Sequence, residues 1–522
     1  MNKKGTTLVY ILTLFYMIPL SIIFIVNMLT SMFQTTYMEL YLDTEKPLYK
    51  SDNPVILLLL VSAFIVLYIF YSKKHPITKE TAVAIERISL VFSVAISLFI
   101  IFLFRVGVAS DGAAVSLAAA QFLNGKYSSF FNNNYLFRYS HQISLVAFWE
   151  IIYYLFGVEN FIVLQFVNVI AIFSVVYFFH RITYEMFKDY DIQVILSLLC
   201  MGMLPLYLYA TYIYGDIPGM GFIVPAVYFV IKYLNTGKKR LVLPAFVCVT
   251  FAILLKSNNF VILAAITIIL ILHFINEKDC FALVFAVVLL IGPVISSSCI
   301  NAYYVKEAGM NKFPDGAPKI AWVAMGLQEN DYIENGWFNG YNCAVYEECG
   351  FDTAKTKAAC MDSIKESVST FVSHPGYAIK FFYKKFISQW NDSGFQAQIN
   401  IEWNSRHSEN QSQPALYFIY GNGRFVLEWI MNVYHFMVLL GALVFTVCNV
   451  RKTSLSSALV ALCVFGGYFF HIFWEAKGRY GLGYFVMCVP MAAYGFWRLS
   501  AVVQRLPEIF SGTFMKTFMK SR

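Results

Sequence analysis

RVGVASDGAAVSLAAAQFLNGKYSSFFNNNYLFRYSHQISLVAFWEIIYYLFG, the stretch from Arg105 to Gly157, decides how the rest of the chain is threaded. An apolar run ends at Arg105, and a polar step with Ser110 and Asp111 follows at once. A small-residue helix is expected over Gly112 to Leu123, then an Asn-rich turn and a segment with Arg138, Tyr139, His141 and Gln142. A second apolar helix, His141 to Phe156, carries Glu150 inside it. If this helix crossed a membrane, every later segment would change sides. The placement of Lys and Arg further on argues that it lies at the surface or only partly inserts.

The remaining sequence sets the class. Of 522 residues, 59% are hydrophobic and 13% charged, and the mean hydropathy is +0.61. A soluble domain of this size needs far more charge to cover its surface. Apolar runs of roughly 18 to 22 residues recur along the chain, the pattern of a polytopic helical membrane protein. Thr7 to Leu29 follows Lys3 and Lys4 but lacks a small-residue cleavage site, so it is read as a retained helix. A formal charge of +8 need not mean nucleic acid, because basic residues collect in cytoplasmic loops.

Spans are expected at Thr7–Leu29, Pro54–Tyr71, Ile88–Phe104, Phe161–Phe179, Ile192–Ala210 and Phe222–Tyr233. Six more follow at Leu241–Leu255, Phe260–Phe274, Phe281–Ser298, Phe425–Asn449, Ser456–Trp474 and Gly481–Trp497. The basic loops SKKHPITKETAVAIER and NTGKKR fall on one side, taken as cytoplasmic. Thr30 to Asn53 and Gly107 to Asn160 fall outside as loops. Neither an internal repeat nor a pair of broken spans is evident. The expected fold is therefore all-α: about twelve transmembrane helices with a small extracytoplasmic α-rich insertion. It divides into two N-terminal helices and a cytoplasmic loop (1–87), a transmembrane core (88–300) with its first outer loop at 105–160, and the insertion (301–424). The C-terminal helices (425–500) and a basic tail (501–522) complete it. The insertion should hold an amphipathic helix over Thr353 to Val372 and a surface-lying helix with Lys380, Lys384 and Lys385. Cys299, Cys343, Cys349 and Cys360 could pair there if the compartment is oxidising.

Several polar clusters meet on the same outer face, and each carries two readings. Asp111 either caps a helix or serves as a general base beside the positive end of that helix. Asp216 in YGDIPG is a turn carboxylate, or a second acid that, with Asp111, holds a divalent metal. Lys256 in LLKSNN snorkels or meets a phosphate. In WEAKGRY, Trp474 to Tyr480, a helix would put Glu475 and Arg479 at i and i+4, making a paired fork for phosphate oxygens beside Lys477. The bland reading is an interfacial anchor. His141 and Arg138 are phosphate donors or polar anchors, and Glu150 is structural. Trp322 and Met325 floor a sugar site or belong to a core. Two acids and several cations on one membrane face suit a lipid-linked phosphate sugar, in which a carboxylate deprotonates the acceptor hydroxyl. No nucleotide-binding fingerprint is present.

The run from Asp111 through NGKY to RYSHQISLVAFWEIIYYLFGVENFIVLQFVNVIAIF resembles the first outer loop of GT-C fold glycosyltransferases. It is most similar to the branch of protein O-mannosyltransferases and aminoarabinose transferases (family 39 type). GDIPG at Asp216 and LLKSNN at Lys256 resemble that branch's later loop motifs. AWVAMGL and EAKGRY, which includes Tyr480, resemble motifs of Gram-positive membrane glycosyltransferases. The resemblance runs from about Ile88 to Leu263 and is patchy beyond it. It implies an inverting transferase using a polyprenyl-phosphate sugar donor, with Asp111 as base and Lys256, Lys477 and Arg479 near the lipid phosphate. Ser110-Asp111 in place of two adjacent acids, and RYSHQ in place of a Pro-rich lead-in, turn the expected acceptor from protein toward a surface polysaccharide or teichoic acid. The expected place is a bacterial plasma membrane, with the site outside. A transporter or flippase and a polysaccharide polymerase are the rival readings.

Overall fold

The computed structural model describes residues 3–41, 44–330, 333–408, 411–450 and 453–520. Nine helices among the described residues are long and apolar enough to cross a membrane: Tyr10–Phe33, Pro54–Lys74, Lys79–Phe104, Phe161–Phe187, Asp216–Thr236, Ser257–Glu277, Cys280–Glu307, Asn422–Asn449 and Leu455–Phe473. Two further spans are bent: Tyr190–Met201 with Leu204–Thr211 by 47°, and Gly478–Val486 with Cys488–Arg505 by 51°. No broken span was expected from the sequence. The cause is proline, which cannot donate to the helical ladder: Pro205 stands just past the first break and Pro490 just past the second. The twelfth expected span is the 14-residue helix Val242–Leu255, about 21 Å long and so short of a full crossing. Ile143–Phe156 also has 14 residues. It packs on Ser110–Leu123 rather than spanning.

The helices start and stop where backbone groups find partners. Asn53 caps Pro54–Lys74 by accepting the Val55 N–H at 3.0 Å, and Thr78, Asp189 and Asp279 cap their own helices in the same way. Within the bundle, Ser89, Ser93 and Ser97 line one face of Lys79–Phe104 at four-residue spacing, all fully buried. Small residues there let helices approach closely. His180 bridges Ser89 and Gln193, each at 3.1 Å.

Thr30 to Asn53, expected as a loop, is instead the end of the first helix followed by an antiparallel hairpin, Gln34–Tyr41 against Thr44–Ser51. Thr36, Met38 and Leu40 alternate into the interior, the period of a half-buried strand. Arg424 Nη2 donates to the Met38 carbonyl at 2.6 Å, and Asn391 Nδ2 to the Gln34 carbonyl at 2.6 Å. These bonds hold the hairpin onto the polar insertion.

The insertion is helical, with Ile320–Gly326, Tyr341–Glu348, Thr353–Ser373, Pro375–Trp390, Ala397–Ser405 and Gln413–Ile419 in order. Pro375–Trp390 does not present all its lysines to a surface. Lys385 is 2% exposed, and its ammonium donates to the carbonyls of Gly326 (2.6 Å), Trp474 (2.7 Å) and Ile472 (3.0 Å). Burial pulls this ammonium down to about 7. All ten cysteines are unpaired, so the disulfides considered among Cys299, Cys343, Cys349 and Cys360 are absent. Cys343 Sγ instead meets the Tyr139 hydroxyl at 2.8 Å.

Candidate active site

A cavity of about 620 Å³ lies where the hairpin, the insertion and the ends of the membrane helices converge. Its walls include Asp111, His141, Lys256, Trp322, Glu475, Lys477, Arg479 and Tyr480, eight residues singled out from the sequence. A volume in this range, with a few converging polar groups, is typical of a small-molecule site.

Asp111 reaches the cavity because the helix before it stops abruptly. Arg105 takes a left-handed φ of 47° and ends Lys79–Phe104. Ser110, also left-handed at 51°, opens the next helix. Ala109, not Asp111, sits at the cap position, and no side chain caps this helix. Asp111 therefore lies in the first helical turn, with its carboxylate turned to Arg479 at 3.4 Å. A non-glycine residue held left-handed stores backbone strain, a feature that clusters at working sites.

Asp216 and Lys256 are brought together by a glycine. Gly215 packs so closely on the end of Val242–Leu255 that an added methyl group would stand 1.9 Å from the Leu255 carbonyl oxygen. The next residue on each side supplies the charge, and Lys256 Nζ meets Asp216 Oδ1 at 2.8 Å. Asp216 itself is not on the cavity wall but stands behind Lys256. Each of the two acids considered for a metal thus faces a cation. Among the described residues no group of three His, Cys, Asp or Glu side chains is placed to hold a metal ion.

The expected helical pairing of Glu475 with Arg479 does not occur. Leu455–Phe473 ends before Glu475, and the next helix begins only at Gly478. The chain between them is extended because the Ala476 N–H donates to the Gly336 carbonyl at 2.8 Å and Lys385 holds the Trp474 carbonyl. Lys477 pairs with Glu45 of the hairpin at 3.2 Å. Arg479, 8% exposed, donates to the Tyr212 hydroxyl and to Asp111. Its guanidinium carbon also lies 5.4 to 5.7 Å from the ring centroids of Tyr212, Tyr214 and Tyr480. An arginine so framed keeps its planar fork in one orientation. Glu475 is 3% exposed, and burial raises it to about 7 against the opposing pull of Lys477 and Arg479.

His141 opens onto the cavity, and its ring stands edge-on to Trp322 at 5.9 Å. Desolvation by the surrounding walls, then the nearby Lys319 and Lys256, hold its imidazole down to about 4. It is neutral at pH 7. Trp322 stacks on Trp474 with 6.2 Å between centroids and 6° between planes, making a flat aromatic wall. Two expected residues stand elsewhere. Met325 is fully buried in the core of the insertion, and Arg138 contributes its carbonyl to the Ala317 N–H at 2.9 Å outside the cavity lining. Glu150 accepts a hydrogen bond from the Tyr304 hydroxyl, away from the cavity.

Sequence reasoning missed Glu45, Lys319, Trp337 and Trp403, which also line the cavity. Glu45 lies in TEKPLYKS, which has no apolar alternation, and Lys319 stands three residues before Trp322. The others had no sequence mark. The arrangement as a whole can grip an anion with cations already held in place, stack a flat ring, and take up a proton at a carboxylate. A scan against protein-family models and a search of curated proteins both find no match to this chain.

Proposed function

We propose that the chain is a membrane glycosyltransferase of GT-C type, which moves one sugar from a polyprenyl-phosphate donor to a surface polysaccharide, teichoic acid or protein acceptor. The observation that carries this reading is the contact of Asp111 with Arg479 in the wall of one cavity, which Lys256, Lys477 and the stacked Trp322 and Trp474 also line. In the proposed step the acceptor hydroxyl gives its proton to Asp111 as its oxygen bonds to the sugar's anomeric carbon. The bond from that carbon to the phosphate oxygen breaks, and the electron pair leaves with the phosphate. Cations already oriented in the cavity offset the charge that develops there without reorganising. Inversion follows from attack on the face opposite the leaving group.

The basic loop with Lys238, Lys239 and Arg240 follows the far end of Asp216–Thr236, the helix whose other end carries Asp216 beside the cavity. With basic loops inside, the cavity belongs to the outer face of a bacterial plasma membrane. A transporter would hold its ionisable groups at the breaks of its bent spans. No Asp, Glu, Lys or Arg lies between Leu199 and Leu208 or between Gly483 and Met491.

The test is transfer of labelled sugar from a synthetic polyprenyl-phosphate donor to a membrane extract. Asp111→Asn should lower the rate at least about 100-fold while the protein still folds. A folded Asp111→Asn protein that transfers normally removes Asp111 as the base.

A further inference from the structure

Three of the cations expected near phosphate are each already answered by an acid. Lys256 faces Asp216 at 2.8 Å, Lys477 faces Glu45 at 3.2 Å, and Arg479 faces Asp111 at 3.4 Å. The remaining cavity acid, Glu475, is buried and half protonated near neutrality, while His141 carries no charge there. What remains is Lys319. It lines the cavity, its side chain is exposed, and among the described residues no ion pair with a carboxylate involves it. Its ammonium lies 5.9 Å from the ring centroid of Phe260.

The position of Lys319 is fixed by its backbone. The Ala317 N–H donates to the Arg138 carbonyl at 2.9 Å, and the Ser140 hydroxyl to the Asp315 carbonyl at 3.2 Å. Gly316 between them is left-handed at 71°, and a methyl group there would stand 2.5 Å from Ser140 Oγ. These bonds dock the loop against the segment that carries His141.

The same corner of the cavity opens toward the apolar belt. Phe260 and Val261 begin the membrane helix Phe260–Glu277, and Phe470 stands near the end of Leu455–Phe473; all three line the cavity. The two helices pack together, and Phe260, Phe469 and Phe473 are 40 to 54% exposed on their outer surfaces. A cation at the water-facing end of an apolar seam suits a ligand with a charged head and a hydrocarbon tail.

We infer that Lys319 is the cation that receives a lipid phosphate from the membrane edge, the monoester left when the sugar departs from its phosphodiester donor, with the attached chain lying along the seam between Phe260–Glu277 and Leu455–Phe473. The shared chemistry is that of a phosphate monoester, and the inference rests on the glycosyl-transfer reading for its lipid source. The paired cations stand ready for the charge that develops during transfer, and Lys319 adds a charge that no carboxylate has neutralised in the resting cavity.

The experiment measures binding of a sugar-free polyprenyl monophosphate to the full chain in nanodiscs, alongside inorganic phosphate and the uncharged polyprenol. Lys319→Ala and Lys319→Gln should bind the lipid phosphate about tenfold more weakly or worse, with unchanged thermal unfolding. Lys319→Arg should retain binding. Lys312→Ala, seven positions away on an exposed lysine paired with Asp315, should match wild type. Wild-type affinity in both Lys319→Ala and Lys319→Gln overturns the assignment. Displacement of the lipid by inorganic phosphate at equal concentration overturns the membrane source. A wild-type protein that binds no polyprenyl monophosphate, or binding unaffected by Lys319, overturns this inference alone, whereas a wild-type protein that transfers no sugar from the polyprenyl-phosphate donor overturns the proposed function.

Discussion

Arg479 Nη2 and Asp111 Oδ2 stand 3.4 Å apart although 368 positions separate them in the chain. The guanidinium is buried and the Asp111 side chain is 39% exposed, so the pair is anchored on one side and open to the cavity on the other. Solvent at Asp111 screens the attraction, which makes the arginine's other contacts matter more than this ion pair.

Arg479→Ala should therefore destabilise the protein by about 3 kcal/mol, mostly through loss of the three tyrosine faces and the Tyr212 hydrogen bond. Asp111→Asn alone should cost less than about 1 kcal/mol. In a double-mutant cycle read by thermal unfolding, the coupling between them is expected near 1 kcal/mol or below. Arg479→Lys should restore charge but not the fork, leaving donor affinity reduced. A coupling of several kcal/mol would show that Asp111 is shielded from water in the folded protein.

Gly215→Ala should be among the most damaging single-methyl changes in the chain. Its new methyl group meets backbone, the Leu255 carbonyl, which has no rotamer to retreat into. The expected cost is about 3 kcal/mol, with the Asp216–Lys256 pair pushed apart and activity lost even in protein that folds. Gly376→Ala, where nothing lies within 4 Å, should change stability by less than about 0.5 kcal/mol. Parallel unfolding curves for the two variants decide the matter.

Glu475 should lower the stability of the fold as pH rises from about 4.5 to 7. Burial holds this carboxyl at about 7 in the fold, against an ordinary value of 4.5. In that interval the folded chain keeps a proton that the unfolded chain has released, so raising the pH favours unfolding. The contribution is fully present below about 4.5 and gone above 7. Glu475→Gln should remove a difference on the order of 3 kcal/mol across the window. Lys385, at about 7 in the fold and 10.5 ordinarily, acts in the interval above, where stability rises with pH. Asp392, which burial also holds at about 7, and His141, held down to about 4, act in the same window as Glu475. The Glu475 share is therefore read as the difference in slope between Glu475→Gln and wild type, and an unchanged slope would count against the buried acid.

The membrane architecture was readable because a bilayer imposes one demand everywhere: long apolar helices with charge at their ends. The span ends were readable for the same reason, which is why Asp111, Lys256 and Arg479 could be picked out and do meet. Partners were harder. Glu475 and Arg479 looked paired because five residues were read as one helix, while an interior bond from Ala476 to Gly336 holds that segment extended. Lys477 found Glu45 through a hairpin more than four hundred residues upstream, a contact that local spacing cannot contain. Met325 and Trp322 lie on the same short helix and in the same core, yet only Trp322 also reaches the cavity. That difference is decided by the insertion's packing rather than by residue type.

Cavity walls drawn from Glu45, Asp111, Lys256, Lys319 and Arg479 also set an order in time. A ribosome delivers the acids at positions 45 and 111 long before the cations at 477 and 479. Until the segments from Leu455 onward are inserted, Glu45 and Asp111 stand without Lys477 and Arg479, their partners in the folded protein. The site is thus complete only once the segment with Lys477 and Arg479 has been made. A chain cut short before Leu455 would occupy the membrane without a competent centre.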